Sequence, residues 1–430
     1  MRKRVLAMLL CITMTVGSLA GCGQQKPAEQ AAETSEADAN ESAAAAETTS
    51  ESDGYEAAAQ ASFDLSSVDT IKLGVLIYDS TDAEVVAFKN YYQNYIAQNF
   101  PVEFVYSEGI ATAEEEVSAI ENFINMNCKG IISFSDQDRV ASIKLCEEAK
   151  VYYAVGAGTL SDEQYEELKG YSYYVGSIGP SLENEEVIGY DMAKHYIDAG
   201  YKNFLVYAGG YPYVDMHMKR TAGFIRAFEE AGVTYTPGDN GNFGTFAGDG
   251  YKIDTIDGFP DEAGAFFGTV GQKVGEPDLE VVLTAALGVE LFGASIAQIN
   301  PEIKLATVAS YTDAYKEAFN AEPAQLDYLT GKYASSIGPV FAAMFNAVTG
   351  NIDCVRDNGN AFRIDQGYWT AIGTEEFNTL FEIANSTEKP AYTADDLSPY
   401  IKLVNDAANF ADFKAFAEAY TIEDIQALHK

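Results

Sequence analysis

The stretch Ile71-Lys72-Leu73-Gly74-Val75-Leu76-Ile77 is a nearly continuous apolar run that follows a long polar segment. Such a run is typical of a strand that is buried on both faces, as the strands of parallel sheets are. Polar residues follow it from Tyr78 to Asp82, and apolar side chains then recur at helical spacing as far as Asn99-Phe100-Pro101. The sequence therefore predicts a strand, a loop and a helix, which is the first unit of an α/β fold.

The same alternation of strand and helix continues along the chain in two rounds. The first round adds strands at 102–106, 130–134, 151–155 and 173–175 and helices at 114–127 and 140–149. The second round has helices at 186–199 and 218–231 and strands at 203–207, 280–284 and 304–308. Strands that alternate with helices over short loops form parallel sheets through right-handed crossovers. Two rounds therefore predict two similar lobes.

The first 22 residues predict the cellular location of the protein. Arg2-Lys3-Arg4 is a positive start, 5–16 is an apolar segment too short for a stable bilayer anchor, and Leu19-Ala20-Gly21-Cys22 follows. This ending is similar to the bacterial lipobox, in which the cysteine receives a lipid and becomes the mature N-terminus. We therefore expect a lipoprotein signal peptide at 1–21 and lipidation of Cys22. The alternative is an ordinary secretory signal with a chance cysteine.

The charge of the chain argues against nucleic acid as a partner. The 430 residues include 65 acidic and 27 basic side chains, for a formal charge of −38. Nucleic acid and anionic membrane surfaces bind clusters of Lys and Arg, and no such cluster follows the first four residues. Removal of residues 1–21 takes away three positive charges and makes the formal charge −41.

Residues 22–68 are rich in Ala, Glu, Ser and Thr, which predicts a flexible acidic tether.

Catalytic and metal-binding patterns do not stand out. The five cysteines have no C-x-x-C spacing, and the three histidines, His195, His217 and His429, are scattered. No Ser-His-Asp order or catalytic carboxylate pair is apparent, so we expect no enzyme activity, no metal and no cofactor. Cys128 and Cys146 could form a disulfide in an exported protein or remain buried thiols.

The residues that follow each strand are candidates for a binding site, because ligands of parallel α/β sheets bind beyond the carboxyl ends of the strands. The candidates are polar, aromatic or glycine residues, namely Tyr78, Asp79, Asp82, Ser135, Asp136, Gly158, Tyr211, Tyr311 and Asp313. The tyrosines could stack on a sugar ring or a base, or could pack at the rim. The acidic residues, with Glu84 among them, could accept hydrogen bonds from ligand hydroxyls or an amine, with Asp82 as the first candidate, or could be loop residues that cap helices.

The order of the elements resembles that of the type I periplasmic solute-binding proteins, especially the ribose-binding-like branch that serves ABC importers and shares its fold with the lactose-repressor family. The resemblance covers about residues 71–371. Lys219-Arg220-Thr221-Ala222-Gly223-Phe224-Ile225-Arg226-Ala227-Phe228 is similar to the family's R-x-x-G-F-x-x-A helix. Gly331-Lys332-Tyr333, followed by Ser336-Ile337-Gly338, is similar to its return crossing. These matches imply that Arg220 reaches the ligand and that Lys332 faces it at the hinge.

The resemblance implies two Rossmann-like lobes with parallel sheets, joined by a hinge of three crossings. It places the N-terminal lobe at 69–178 plus 333–363 and the C-terminal lobe at 179–332 plus 364–376, with a helical extension at 377–430. It further implies a monomeric extracytoplasmic protein, anchored to the bacterial cell membrane by its lipid. Such a protein delivers a small polar solute, with a carbohydrate as the first candidate, to an ABC transporter permease.

Departures from the family pattern keep other ligands open. Gly156-Ala157-Gly158 stands where sugar-binding members carry an Asp-Arg pair, and Ala285-Ala286-Leu287 stands where they carry Asn-Asp. A nucleoside, an autoinducer or an amine is therefore an alternative ligand. A sensory subunit that presents its ligand to a membrane receptor is an alternative role.

Overall fold

The computed structural model describes residues 63–261 and 263–430, so the predicted signal peptide, Cys22 and most of the predicted tether lie outside this part of the chain. Its strands are β1 Ile71–Ile77, β2 Val102–Gly109, β3 Gly130–Ser133, β4 Tyr152–Val155, β5 Tyr174–Gly179, β6 Asn203–Tyr207, β7 Thr234–Thr236, β8 Thr245–Ala247, β9 Lys252–Ile256, β10 Val281–Thr284, β11 Lys304–Ser310, β12 Tyr328–Lys332, β13 Phe362–Asp365 and β14 Trp369–Ile372. Its α-helices are α1 Ala83–Asn90, α2 Ala97–Asn99, α3 Ala113–Asn125, α4 Arg139–Ala149, α5 Asp162–Leu168, α6 Leu182–Asp198, α7 Asp215–Glu230, α8 Ala265–Val274, α9 Ala294–Ile299, α10 Asp313–Asn320, α11 Gly338–Val348, α12 Thr374–Ala384, α13 Ala394–Leu397, α14 Phe410–Glu418 and α15 Ile422–Leu428. Two π-helical segments, Tyr91–Ile96 and Val289–Gly293, lead into α2 and α9.

The first sheet has six parallel strands in the order β13-β5-β4-β3-β1-β2. Its strand β1 pairs with β2 on one side and β3 on the other, and Leu73, Val75 and Leu76 of β1 have no exposed surface. Such a central strand faces helices on both sides of the sheet, so both its faces need apolar side chains. The apolar run from residue 71 to 77 is thus confirmed as a buried strand of a parallel sheet.

The second sheet has the order β14-β12-β11-β10-β6-β9, and only its edge strand β14 runs antiparallel to its neighbour. Helices α6 and α7 pack against each other beside it, with two glycines at the crossing. A Cβ atom on Gly189 would lie 2.0 Å from the carbonyl oxygen of Arg220, and one on Gly223 would lie 2.1 Å from that of Glu186. The two backbones therefore touch, which brings the first turn of α6 close to α7.

The chain passes between the two sheets three times: from β5 into α6, from β12 into α11, and from β13 into β14. The predicted fold class, two α/β lobes joined by a three-crossing hinge, is confirmed. The predicted lobe boundaries at 178 and 363 fall inside β5 and β13, which end at Gly179 and Asp365. The sequence misplaced the end of β5 because Gly176-Ser177-Ile178-Gly179 lacks a continuous apolar pattern.

Both ends of the described chain pack against the first lobe. The ring of Phe63 lies 5.2 Å from that of Phe100, and Leu65 is buried, so residues 63–65, which the predicted tether included, pack on the first lobe. Two apolar side chains are enough to dock this short stretch on the core. At the other end, the Asn346 side chain of α11 donates to the carbonyl of Tyr400, at 2.7 Å.

The predicted extension at 377–430 begins inside α12, a helix that packs on α10 and β14 of the second lobe. We call residues 385–430, which follow α12, the C-terminal segment.

In residues 63–261 and 263–430, no helix has the length and apolar character needed to cross a membrane. Cys128 and Cys146 are both free, buried thiols.

Candidate functional site

Side chains from the two lobes meet where the carboxyl ends of their strands face each other. Glu84, in the first turn of α1 after β1, accepts a hydrogen bond from the Ser310 hydroxyl at the end of β11. The Lys332 ammonium at the end of β12 lies 3.3 Å from the other carboxylate oxygen of Glu84. The Glu84 and Lys332 side chains are 16% and 18% exposed. We call this meeting place the cleft.

Tyr78 and Asp82 form the wall of the cleft on the first lobe. The Tyr78 hydroxyl donates to Asp82 at 2.9 Å and lies 3.4 Å from Glu84. The Asp82 carboxylate caps α1 by accepting from the backbone N–H groups of Glu84 and Val85. Burial, and then the charge of Glu84, raise the pKa of Asp82. Asp82 is therefore a cap, as one of the two predicted alternatives had it, and it also lies at the cleft.

A buried ion pair lies at the hinge side of the second lobe. The Arg220 guanidinium in α7 binds both carboxylate oxygens of Glu185 in α6, at 2.6 and 3.1 Å, and both side chains are 5% exposed. Its other contacts are the carbonyl of Ala285 at 2.7 Å and the Tyr368 hydroxyl at 3.4 Å. All three guanidinium nitrogens of Arg220 are thus bonded within the protein. Its implied contact with a ligand stays a prediction.

Tyr368, in the third crossing, connects this pair to the cleft. Its hydroxyl donates to Glu185 at 2.8 Å, and the Lys332 ammonium lies 5.9 Å from the centre of its ring. Two ion pairs, Arg220 with Glu185 and Lys332 with Glu84, therefore lie on either side of one tyrosine. Charged hydrogen-bonding groups beside an aromatic face are what a small polar ligand needs for orientation.

Another carboxylate of the second lobe, Glu290, contributes to the charge of the cleft. Glu290 accepts a hydrogen bond from the Tyr315 hydroxyl at 2.8 Å. Burial raises the pKa of Glu290, and the charge of Asp82 on the first lobe adds to the rise. Glu290 of the second lobe therefore lies near enough to Asp82 of the first lobe for the charge of Asp82 to act on it.

Two more of the predicted site residues, like Arg220, are buried in the lobes. Ser135 has no exposed surface, and its hydroxyl donates to the buried carboxylate of Glu116 at 2.7 Å. Tyr311 is 2% exposed, and its ring stacks on that of Phe377 at 5.5 Å. These side chains fill space behind the strand ends, which residue type alone does not distinguish from a position in a cleft.

Other predicted site residues lie in turns or in solvent. Asp79 accepts from the backbone and the hydroxyl of Thr81, which closes a turn on the exposed side of the loop. Gly158 has a φ of +115°, a conformation that a residue with a side chain rarely adopts, so the bend at this position favours glycine. Asp136 and Asp313 are exposed.

Tyr211 lies beside a groove at the far side of the second sheet. The groove has a volume of about 440 Å³ and is formed by the β7–β8 hairpin and β9. The Tyr211 ring packs edge-on against Phe243, which lines the groove, at 5.2 Å. Three strands separate β9 from β12 in the sheet order. The groove and the cleft at Lys332 are therefore distinct places on the second lobe.

Three side chains at or near the cleft were not among the residues that the sequence singled out: Glu185, Glu290 and Tyr368. Glu84 was considered with the other acidic residues as a ligand acceptor or a loop residue, and it lies in the helical turn that Asp82 caps. Glu185 was missed because α6 begins four residues earlier than its apolar pattern suggested. Tyr368 lies in a crossing with no strand or helix pattern, so no periodic signal in the sequence could have found it.

In the described part of the chain, the side chains indicate neither a metal site nor a reactive histidine. There, no group of three or more His, Cys, Asp and Glu side chains is placed to hold a metal ion. His217 accepts a hydrogen bond from the backbone N–H of Gly210 at 3.0 Å. Burial, and then the charge of Arg220, lower the pKa of His217 to about 3, so this histidine is a neutral packing residue.

Two parallel α/β lobes, three hinge crossings and a cleft at the carboxyl ends of the strands define the fold of the type I periplasmic solute-binding proteins of ABC transporters. No protein-family model matches the sequence, and no curated protein matches it. Solved structures of this fold do match it, at 13–16% identity for the three described next. At such identities the likeness shows the fold.

Three of the similar structures, each from a different bacterium, were solved with bound ligands. A solute-binding protein from Bacillus halodurans C-125 with bound myo-inositol is 15% identical, with a TM-score of 0.54 over 73% of this chain and 98% of its own. One from Actinobacillus succinogenes 130z with bound D-allose is 13% identical, with a TM-score of 0.54 over 72% and 99%. The arabinose-binding component from Shewanella sp. ANA-3, bound to L-arabinofuranose, is 16% identical, with a TM-score of 0.53 over 73% and 95%.

Proposed function

We propose that this protein is an extracytoplasmic, lipid-anchored solute-binding protein. It captures a small polyhydroxylated molecule, a sugar or a cyclitol, in the cleft and, as a monomer, delivers it to an ABC transporter permease. One observation carries the proposal: Glu84 of the first lobe contacts Ser310 and Lys332 of the second. A ligand at this place would touch both lobes, so its binding energy could drive their closure. The myo-inositol, D-allose and arabinofuranose bound by the similar structures support this choice of ligand.

The chemistry of the cleft suits a ligand with many hydroxyl groups. Each hydroxyl both donates and accepts hydrogen bonds, and the cleft offers acceptors on Asp82 and Glu84 and a cationic donor on Lys332. The faces of Tyr78 and Tyr368 suit the apolar C–H side of a sugar ring. Sugar-binding members of the family bind their ligand with an Asp-Arg pair at the position of Gly156-Ala157-Gly158. In this protein, Glu84 and Lys332 would provide charged groups for the ligand at the hinge instead.

A solute that carries an amino group is a second candidate. Burial raises the pKa of both Asp82 and Glu290, so burial disfavours the charged form of each carboxylate. An ammonium group of a ligand would compensate them. The ligand screen therefore includes amines and amino sugars.

Thermal unfolding of the full chain against a ligand panel tests the proposed function. The panel holds neutral pentoses, hexoses and inositols, nucleosides, amino sugars and amines. A ligand present at 1,000 times its Kd stabilises a protein by about 4 kcal/mol, so a true ligand raises Tm clearly. We expect such a rise with a neutral sugar or inositol. Lys332→Ala should weaken its binding roughly 10- to 100-fold, because a charged hydrogen bond is lost.

Asn242→Ala is the matched control for this screen, because Asn242 lines the distant groove. It should leave the Kd unchanged. A loss of binding in Asn242→Ala but not in Lys332→Ala would place the ligand in the groove and contradict the proposal. A rise in Tm with amines alone would favour the second candidate, and a rise with nucleosides alone would reject both.

The lipid anchor is tested at the predicted modification site. Cys22→Ser removes the thiol that would form the thioether, so the protein should move from the membrane fraction to the soluble fraction of expressing bacteria. Cys11→Ser changes the other cysteine of the same segment and should leave the protein in the membrane fraction. The same distribution for both variants would show that Cys22 is not the anchor. Mass spectrometry of the N-terminal peptide provides an independent measurement.

A further inference from the structure

Two cleft residues are each followed in the chain by an aromatic residue of the hinge. Tyr333 follows Lys332 in the second crossing, and Trp369 follows Tyr368 in the third. The rings of Tyr333 and Trp369 stack with their centres 3.8 Å apart and their planes 18° apart, and the two residues are 2% and 3% exposed. The stack therefore joins two of the three hinge crossings directly beside the cleft residues.

The C-terminal segment bonds to this stack. The Trp369 indole N–H donates to the carbonyl of Tyr420, at 2.7 Å. The ring of Tyr392 lies 6.2 Å from that of Tyr333. Each member of the stack thus has a neighbour in the C-terminal segment.

The C-terminal segment also holds the crossings beside the stack. The backbone N–H of Tyr392 donates to the Ser335 hydroxyl in the second crossing, at 3.2 Å. In the third crossing, the Gln366 side chain donates to the carbonyl of Ala417, at 3.4 Å. The segment therefore makes polar contacts with both crossings.

The same segment is fixed on the first lobe. The Tyr91 hydroxyl donates to the carbonyl of Tyr392 at 2.7 Å, and the backbone N–H of Ala394 donates to the Tyr95 hydroxyl at 3.0 Å. All of these tyrosines are buried, at no more than 4% exposed. The contacts run from the first lobe, through the C-terminal segment, to the two crossings.

We infer that the C-terminal segment positions Lys332 and Tyr368 for ligand binding by holding the Tyr333–Trp369 stack. A hinge moves through torsion changes at a few residues, and a stack bonded to a fixed segment restricts those torsions. The orientation of the Lys332 and Tyr368 side chains therefore depends on the position of the stack. Trp369 is thus a positioning residue of the cleft. The inference rests on the proposed function and adds a role for the last part of the chain.

Trp369→Phe is the test variant, because phenylalanine keeps a stacking ring but loses the N–H donor to Tyr420 and part of the indole volume. Before any ligand is added, hydrogen exchange of the full chain should quicken about 3- to 10-fold at residues 333–336 and 366–369, as expected for one lost hydrogen bond. Asn409→Ala is the matched control. It removes the N-cap of α14 at the end of the helix away from Ala417, and should lower Tm without changing exchange at the crossings.

The ligand found in the panel provides the second measurement. Trp369→Phe should weaken its binding about 3- to 10-fold, and the loss should not add to that of Lys332→Ala, because both variants act on the same contact. Asn409→Ala should leave the Kd unchanged. Trp369 is also the only tryptophan of the chain, so ligand binding to the unchanged protein should alter its fluorescence.

Three results would overturn the inference. They are unchanged exchange at the crossings in Trp369→Phe, an equal change in Asn409→Ala, and full additivity with Lys332→Ala. A screen that finds no ligand, together with faster exchange in Trp369→Phe, would instead contradict the proposed function. The failure of the inference and that of the proposed function are therefore distinguishable.

Discussion

Replacing Arg220 with alanine should lower the free energy of unfolding by about 3–5 kcal/mol. The change leaves the Glu185 carboxylate at 5% exposure with its cationic partner gone and the Tyr368 hydroxyl as a neutral donor. A buried charge without its counterion costs far more than the ion pair itself contributes. Urea unfolding of the full chain, followed by circular dichroism, measures the difference.

Arg226→Ala is the matched control on the same helix. Arg226 pairs with Glu186 at 2.7 Å, but the arginine side chain is 41% exposed, so its loss should cost less than about 1 kcal/mol. Equal losses for Arg220→Ala and Arg226→Ala would contradict the buried-pair account. Normal stability of Arg220→Ala with lost ligand binding would instead support the direct ligand contact that the sequence motif implied.

Replacing Gly223 with alanine should destabilise the protein by about 2–3 kcal/mol. The added Cβ would lie 2.1 Å from the carbonyl oxygen of Glu186 and 2.4 Å from the backbone nitrogen of Tyr190. Both contacts are with backbone, so α6 and α7 would have to separate. The separation would also pull Glu185 from Arg220, and ligand affinity should fall with stability.

Gly268→Ala is the control for Gly223→Ala. It shows the effect of replacing a helical glycine where no neighbouring helix lies close. Gly268 lies in α8, and a Cβ there would meet nothing within 4 Å. Alanine at this position should stabilise the protein by about 0.5–1 kcal/mol, because it is the better helix former. Urea unfolding should thus give shifts of opposite sign for the two variants. A loss of stability in both would mean that the packing of α6 on α7 is not the cause.

Much of the fold could be predicted because it depends on patterns that are local in sequence. The apolar run at 71–77 and the later strand and helix periodicities each correspond to an element of the structure within a few residues. Boundaries were wrong where the pattern was weak, as at the glycine-rich end of β5. The role of Phe63 and Leu65 was missed because two apolar residues make no periodic signal.

The candidate site could be predicted only in part. Tyr78 and Asp82 were identified because they follow a strand, and Lys332 was identified by its resemblance to the family's return crossing. The structure places all three at the cleft. The same rule also selected Ser135 and Tyr311, which are buried, and Asp136 and Asp313, which are exposed. A position after a strand specifies the edge of the sheet but not the direction of the side chain.

The sequence by itself determined the class of fold, the acidic character and the expected export signal, because composition and periodicity depend on residues that are close along the chain. Only the tertiary structure decided which side chains meet. Glu84 and Lys332 are 248 positions apart, and Trp369 and Tyr420 are 51 apart. Such pairs arise from the packing of whole lobes and of the C-terminal segment, and packing depends on many weak contacts at once, which no local pattern encodes.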